Sequence, residues 1–535
     1  MIIDGRSVPS GETVDADVCI VGAGPAGLTV ARQLAGSDLR VCVLESGGIQ
    51  REPEAQDLAD GTNSGYPYFS LREARARVFG GSSDLWDEFL RGRPLDPVDF
   101  ERRDAVPFSG WPISRSDLDP YYEQAQQLLG FGPFEYDAEP WERVNSQASL
   151  TRGMKRVHSS VFQYSNAFDF TRHRRELDHA ANVVVMLHTI GTELVPSEAG
   201  ESVAFLAAAT IRGPKFRVRS RRYVLAAGGI DNPRLLLLSR NQDSRGIGNR
   251  HDLVGRFFME HLHVRSAVLL PDDDDLMDNV GFYQEHDVDG VRVRGTIAVN
   301  EDVLRDEGLL NTTFLLFPSD MLRSSDLYRS MAVIKESWHK RSLPTESLLG
   351  HATNILRRLM PSARLVYGLA RNRLPDTRRV LWLVATAEQA PNPDSRVLLG
   401  EGRDSLGMSK PVLDWRLSDI DRRSIRRAEE IIDEELRGLG RGRLTRLFGD
   451  ERPARVLRGH WHHMGTTRMS RDPTTGVVDE TCRVHSTDNV YVAGSSVFPT
   501  GGNANPTLTI VALSIRLAEH LGSDIQGQPG LGPIW

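Results

Sequence analysis

The sequence predicts an α/β protein in which a Rossmann-type dinucleotide-binding domain is assembled from discontinuous segments and joined to an α+β substrate-binding domain built on a β-sheet. Three observations carry that expectation. The apolar run DVCIV at Asp17 to Val21 leads into GAGPAG and then into LTVARQLAG, whose apolar residues recur at helical spacing. A second apolar run, RVCVL, ends in an acidic residue, Glu45, so strand, glycine turn, helix and strand follow one another as a βαβ unit. Near the other end, DNVYVAGSSVFPTGGNANPTLTIVALSIRLAEHLG again reads as strand, glycine turn and helix, while the chain between the two units has a different character. The 535 residues, at roughly 150 per domain, allow two to three domains, enough for a cofactor half and a substrate half.

Within the βαβ unit each glycine has a physical task. Gly22 permits the tight turn, Gly24 lets the backbone approach a pyrophosphate, and Gly27 lets the helix pack closely on the strand. The pyrophosphate then faces the positive end of the helix. Glu45, at the carboxyl end of the second strand, is placed to accept hydrogen bonds from an adenosine ribose. From about Asp99 to Glu142 the chain is polar and loop-rich, and SGWPISRSDLDPYYEQAQQLLG predicts a helix capped after Asp119-Pro120. FRVRSRRYVLAAGG, Phe216 to Gly229, alternates and then turns apolar, a returning sheet strand followed by Asp231-Asn232-Pro233 and a helix over RLLLLS. Between about Val264 and Arg455, the strand pattern VLWLVATAEQ and the amphipathic pattern DRRSIRRAEEIIDEEL mark an inserted α+β domain. These readings put residues 1–100, 180–263 and 470–535 in the dinucleotide-binding domain and 101–179 and 264–469 in the substrate-binding domain.

Composition narrows the class. A net charge of -7 from 65 basic and 72 acidic residues leaves no basic footprint for nucleic acid. Hydrophobic residues at 40% and charged residues at 26% describe a soluble globular chain. Of the three cysteines, Cys19 and Cys42 fall in predicted strands, where a thiol packs as a small hydrophobe, so no disulfide framework is expected. No basic-then-apolar leader opens the chain and no run of about 18 apolar residues interrupts it, which predicts a cytoplasmic protein without a membrane span. The four aspartates Asp272 to Asp275 lack the alternating spacing of a calcium loop and read as a solvated hairpin. The basic stretch from His351 to Arg373, broken by Pro361, reads as two packed helices rather than a membrane-surface helix.

Three further motifs complete the pattern: ARVFGGSSDLW at Ala76 to Trp86, HHMGTTRM at His462 to Met469, and NVYVAGSSVFPTGGNANPTLT. With the N-terminal unit, and in this order, they resemble the glucose-methanol-choline (GMC) oxidoreductases over nearly the whole chain. HHMGTTRM and SGWPISRSDLDPYY are most similar to bacterial sugar and glycoside oxidoreductases related to pyranose oxidase and C-glycoside 3-oxidase. The resemblance implies a Rossmann-type FAD-binding domain and FAD-dependent oxidation of an alcohol. It implies that Gly22, Gly24, Gly27 and Glu45 hold the ADP half, that Gly80, Gly81, Ser82 and Ser83 lie beside the flavin and its phosphates, and that Gly228, Gly494, Ser495, Pro506 and Thr507 complete the cofactor site. The family's HxxGT motif places the active-site base on His462, and NPTLT places its partner on Asn505. Pyranose oxidases tether their flavin through a histidine in GGxSTHW; the matching position here is Leu85, which implies FAD bound without a covalent link.

The chemistry agrees with those assignments. A hydride leaves an alcohol carbon readily when the hydroxyl proton is taken at nearly the same time, because an alkoxide is the better donor. An imidazole with an ordinary pKa of about 6.5 is a suitable acceptor near neutral pH. HWHH, His460 to His463, also reads as a plain polar turn, but the GTTRM that follows His462-His463-Met464 favours the functional reading. No metal is expected, since these crowded side chains have no Cys or carboxylate set beside them and alcohol oxidation by FAD needs none. Asn505 before Pro506 also suits an N-cap and first-turn pair for TLTIVALSIRLAEHL, whose free N–H groups would face the flavin pyrimidine. Its side-chain amide would orient the substrate oxygen. His463, His485, His261 and His263 are expected in core or interface roles, the last two where the chain crosses between domains, and Trp86 and Asp87 are expected to face the flavin ring. The predicted function is oxidation of a secondary hydroxyl of a sugar or glycoside by proton abstraction and hydride transfer to flavin N5, with oxygen or a quinone as electron acceptor. Two alternatives share the family motifs, oxidation of a non-sugar alcohol such as a specialised-metabolite hydroxyl and a lyase that keeps FAD only as structure, and a third, an NAD-dependent dehydrogenase, shares the glycine fingerprint.

Overall fold

A computed structural model of the chain describes residues 1–86, 90–142, 149–165, 170–272, 275–278, 280–320, 379–447 and 457–525. Strand Thr13–Val21 is buried almost throughout from Val14 onward, as expected of a strand covered on both faces. It lies at the centre of a sheet ordered Ile2–Asp4, Val183–Leu187, Val41–Leu44, Thr13–Val21, Lys215–Leu225, Val203–Ala209, Ile190–Pro196. The first five run parallel and the last two return antiparallel. Val490–Val492 pairs in parallel with Tyr223 to Leu225, beyond the end of the Val203–Ala209 pairing, so widely separated stretches of chain build one sheet. Helix Pro25–Leu34 links Thr13–Val21 to Val41–Leu44 and buries Ala26, Leu28, Val30, Ala31 and Leu34. Its amino end opens at the carboxyl edge of the parallel strands, where ligands bind in open α/β sheets.

A second sheet, antiparallel throughout, is ordered Gly442–Arg446, Leu262–Pro271, Arg379–Ala387, Thr312–Asp320, Val291–Val299, Val157–Ser165, Leu90–Gly92. Helix Asp419–Gly438 covers it with Ile425, Ala428, Ile431, Ile432 and Leu436, and Ser418 and Asp421 close a reciprocal cap at its start. A small third sheet joins Arg396–Arg403, Ser409–Trp415 and Thr62–Gly65 around the fully buried Trp415. Among the described residues no helix is long and apolar enough to cross a membrane, and Cys19, Cys42 and Cys482 are buried free thiols.

Several local expectations shift. Leu90–Gly92, inside the stretch 1–100, pairs with Val157–Ser165 of the second sheet, and His173–His179, inside 101–179, packs on the first sheet. These crossings are made by short regular elements with no linker-like composition to announce them. The helix around Asp119-Pro120 spans Arg115–Leu128, with Ser114 as its cap and Pro120 inside it. The stronger signal was Ser114-x-x-Asp117, in which each side chain accepts the other's backbone N–H. Helix Gly228–Leu238 likewise begins ahead of Asn232-Pro233, because Asn232 Oδ1 accepts the Ala227 N–H at 2.7 Å and its amide donates to Ala493 O and Ser496 Oγ. Asp275 opens the short helix Asp275–Asp278, whereas Asp273, Asp274 and the stretch His351 to Arg373 lie outside the described residues.

Buried charge ties the loop after Leu90–Gly92 to the second sheet. Both terminal nitrogens of Arg103 donate to Glu388, at 3.0 and 2.6 Å, with side chains 5% and 0% exposed. Glu388 also accepts the Asn311 N–H at 3.0 Å. Removing one partner strands the other charge away from water, so Glu388→Ala is expected to cost about 3–5 kcal/mol, seen as a lower urea midpoint at unchanged slope. A loss below about 1 kcal/mol, the scale of an exposed pair, would count against this assignment.

Candidate functional site

At the carboxyl edge of the first sheet, turns from separate parts of the chain lie against one another. The Gly22 N–H donates to Leu44 O and the Gly80 N–H to Ala23 O, both at 2.8 Å. At Gly22, with φ +111°, an added Cβ would stand 2.6 Å from Ala226 O; at Gly81, with φ +60°, it would stand 2.7 Å from Gly24 Cα. Gly27 is equally tight, its Cβ position falling 2.0 Å from Gly22 O, which seats the helix on the turn. Gly24, Gly228 and Gly494 are different. A Cβ on Gly24 would meet only Gly81 Cα at 3.8 Å, one on Gly494 only Ala26 Cβ at 3.8 Å, and one on Gly228 nothing within 4 Å. These three border open space around the start of helix Pro25–Leu34, whose first N–H groups have no partner within the helix. Bare backbone facing a helix amino end is the shape a pyrophosphate requires, so the residues present fit the dinucleotide.

The remaining predicted cofactor residues surround this cradle or brace it. Glu45 is 4% exposed; its carboxylate accepts the Ala23 N–H at 3.0 Å, the Gly47 N–H at 2.9 Å and the Ser46 hydroxyl at 3.2 Å. Burial raises its pKa, and these donors oppose the shift. It ties the glycine turn to the second strand and keeps lone pairs for a ribose. Ser82 Oγ accepts the Ala76 N–H, Ser83 Oγ donates to Gly80 O at 2.6 Å, and Ser495 Oγ donates to His463 O at 2.7 Å. Helix Thr507–Ile525 starts one residue later than an Asn505 cap would set it: Pro506 O accepts the Ile510 N–H at 2.8 Å, and the Asn505 amide is turned elsewhere. Leu85 offers no nucleophile, Trp86 packs edge-on against Phe170, and Asp87 lies outside the described residues.

The second centre forms where three loops meet. Met259 and Met464 exchange both backbone hydrogen bonds at 3.0 Å, and Gly465, Thr467 and Met469 donate to Ser495, Ser496 and Val497. His462 and Asn505 are thereby brought together, Nε2 to Nδ2, at 3.5 Å. Asn505 Oδ1 accepts from Arg91 Nε at 3.2 Å and Nη2 at 3.1 Å. Arg91 has only donors, so the Asn505 oxygen faces Arg91 and its NH2 faces His462. The guanidinium itself rests over the Phe162 ring at 4.8 Å. On the far side of His462, its Nδ1 is 2.7 Å from His261 Nδ1.

Glu260, fully buried, accepts the backbone N–H groups of His261, His460 and His462 at 2.9–3.1 Å and the Tyr68 hydroxyl. Tyr68 in turn accepts from His463 Nε2 at 2.9 Å. Burial pushes the Glu260 carboxyl up to about 7. It pushes the imidazoles the other way: His261 and His263 fall to about 4, His460 and His463 to about 3, and His462 well below its ordinary range, with neighbouring imidazoles and Arg91 adding to the effect on His462. All five are therefore neutral near pH 7. Among the described residues no group of three or more His, Cys, Asp or Glu is arranged to hold a metal ion. His485 stands apart, donating to Ser470 O at 2.8 Å.

The sequence reading put His261 in the core or at an interface; it is fully buried, but against His462. Arg91, Glu260 and Tyr68 went unread. FMEHLH and HWHH are both unusually rich in histidine, but only the long-range pairing of their loops shows that they form one cluster.

Residues 17–331, more than half the chain, match the family described as FAD dependent oxidoreductase, and residues 391–514 match the one described as GMC oxidoreductase. The chain is similar to a 6'''-hydroxyparomomycin C oxidase of Streptomyces lividus, 26% identical over 95% of this chain and 92% of that protein. It is similar to a paromamine 6'-oxidase of Streptomyces fradiae, 25% identical with coverage of 95% and 92%, and to a C-glycoside 3-oxidase of Microbacterium trichothecenolyticum, 24% identical with coverage of 95% and 97%. Among solved structures, a formate oxidase of Aspergillus oryzae, 18% identical, shares the fold with a TM-score of 0.53 over 97% of this chain and 99% of its own.

Two predictions follow from this geometry. Gly24 has φ −89°, accessible to any residue, and its Cβ would point into the cradle. Gly24→Val should therefore give a soluble, folded protein without flavin colour; a variant that purifies with full flavin absorbance would refute the cradle. The second prediction concerns acid. Below about pH 6.5 the unfolded chain takes up protons that the buried imidazoles refuse, so stability present at neutral pH is lost on acidification. His463, 8% exposed, titrates in the fold only at about 3. His463→Gln, which keeps a donor for Tyr68, should lessen the loss by about 1.4 kcal/mol per pH unit between about pH 6 and 4. Urea unfolding at several pH values reads the slope, and equal slopes would mean His463 protonates normally when folded.

Proposed function

The chain belongs to the FAD dependent oxidoreductases of the GMC family, and from that premise we propose that it oxidises a hydroxyl of a sugar or glycoside to a carbonyl, with His462 as base and Asn505 orienting the alcohol. The observation that carries this reading is the pairing of an acceptor, His462 Nε2, with a donor, Asn505 Nδ2, across 3.5 Å. A hydroxyl within hydrogen-bond reach of both donates its proton to the imidazole and accepts from the amide. FAD, when bound, supplies the hydride acceptor and so takes the two electrons released as the carbonyl forms. His462 takes the proton at Nε2, and its neutrality means no proton must leave first. The Asn505 amide, held by Arg91, steadies the charge that develops on the substrate oxygen. The free N–H groups at the start of helix Thr507–Ile525 add a positive end to the same region.

In this reading the parallel sheet carries the cofactor, with Gly22, Gly24, Gly27 and Glu45 at the ADP half and Gly80, Gly81, Ser82, Ser83, Gly228, Gly494, Ser495, Pro506 and Thr507 toward the flavin. The antiparallel sheet carries the substrate half. Relatives named for paromamine, 6'''-hydroxyparomomycin C and a C-glycoside support a sugar or glycoside, and we propose a secondary hydroxyl as the one oxidised. Oxygen or a quinone would be the final electron acceptor. Three buried free thiols support a reducing, cytoplasmic setting.

Anaerobic mixing with a panel of monosaccharides, glycosides and polyols should bleach the flavin with a glycoside or sugar. His462→Ala should slow that reduction by about two to four orders of magnitude. Undiminished reduction in the variant removes His462 from the mechanism, and bleaching by no alcohol at all removes the oxidase reading.

A further inference from the structure

We infer that His261 is a positioning residue that sets the tautomer of His462, transmitting to it the fixed polarity of the Gly501 carbonyl. The inference rests on His462 acting as the base.

A backbone carbonyl can only accept, so His261 Nε2, 3.1 Å from Gly501 O, carries the hydrogen between them. Burial keeps His261 neutral, and a neutral imidazole has a single N–H, which leaves a lone pair on its Nδ1. His462 Nδ1 lies 2.7 Å from that lone pair and must donate to it. The Nε2 of His462 is then bare, and Nε2 is the atom that faces Asn505 and the space for a hydroxyl. The chain of bonds can be read from its other end with the same result. Arg91 can only donate, Asn505 therefore presents its oxygen to Arg91 and its N–H toward His462, and that N–H needs an acceptor on Nε2. Gly501 carbonyl and Arg91 guanidinium, neither of which can reverse its role, agree on the direction of every proton between them.

The alternative tautomer has a definite cost. With its proton on Nε2, His462 would point one N–H at another across the site, would leave two lone pairs opposed at 2.7 Å on the His261 side, and would have no basic nitrogen for the substrate. When His462 accepts the substrate proton at Nε2, its Nδ1–H remains donated to His261, so no second proton has to move. The relay is also held in register. Glu260 accepts the backbone N–H of both His261 and His462, fixing the two rings relative to each other. At Gly501 the backbone lies close under the relay: an added Cβ would stand 2.8 Å from Met464 Cε and 3.6 Å from His261 Nε2.

Nitrogen NMR of the holoenzyme labelled with ¹⁵N-histidine tests this apart from turnover, with His462 assigned by its loss in His462→Ala. The wild-type His462 should show a protonated Nδ1 and a bare Nε2. In His261→Leu that signature should be lost and flavin reduction at saturating substrate should fall by about 100-fold. His261→Asn, whose oxygen can accept near the Nδ1 position, should restore the signature and most of the rate. A wild-type His462 protonated on Nε2 overturns the relay outright. A His261→Leu enzyme that keeps both signature and rate overturns it while leaving His462 as the base. Undiminished reduction in His462→Ala instead defeats the underlying reading, whatever the tautomer. Should the leucine variant fail to fold, the wild-type spectrum and the asparagine variant still decide.

Discussion

The centre of the molecule depends on a buried carboxylate. Glu260 is shut off from solvent behind two loops, and an acid in that position is tolerated only if donors surround its oxygens. Three backbone N–H groups and a tyrosine hydroxyl do so, and two of those N–H groups belong to His460 and His462 on a distant stretch of chain. The geometry of the loop that carries His462, the proposed base, is thus dictated by the need to satisfy an acid behind it. Tyr68 extends the arrangement to His463, so the backbone of His261 and His462 and the ring of His463 are held by the same acid, directly or through one hydroxyl.

The two halves of the site are made by opposite means. The cofactor cradle is made by leaving side chains out: Gly24, Gly228 and Gly494 expose backbone where a pyrophosphate and flavin have to come close. The proposed base, His462, is instead surrounded by polar side chains, Asn505, Arg91 and His261, linked in one chain of hydrogen bonds. Both constructions need the glycine turn after Val490–Val492, which lines the cradle at Gly494 and then runs on to Asn505 beside His462. A single loop therefore links the cradle to the partner of His462, and Trp111, Asn311 and Asp96 secure it through hydrogen bonds to Thr500 and Asn503.

Electrostatics suit the task. His261, His263, His460 and His462 stand ring against ring and would repel one another if charged, and burial together with Arg91 keeps them neutral. A neutral cluster leaves His462, which is only partly buried, able to accept a proton in the proposed reaction. The arrangement carries a cost in acid, where the unfolded chain binds protons more readily than the fold.

The βαβ unit, its glycines, Glu45 and the pair His462 and Asn505 were legible in the sequence, because each rests on a local pattern: apolar periodicity, a glycine where a side chain cannot fit, a short motif. The helix starts at Ser114 and Gly228 were misplaced because proline and asparagine signals competed with caps that only contacts resolve. Arg91, Glu260 and the contact of His261 with His462 could not be read at all. Arg91 looked like one arginine among many on a short strand, and Glu260 like an ordinary acid, until the crossing of Leu90–Gly92 to the second sheet aimed the arginine and the pairing of Met259 with Met464 enclosed the acid. Sequence determined which chemical groups the chain owns and which local turns it can make. Tertiary structure alone decided which donor meets which acceptor, because hydrogen-bond direction depends on distances between segments that no local pattern encodes.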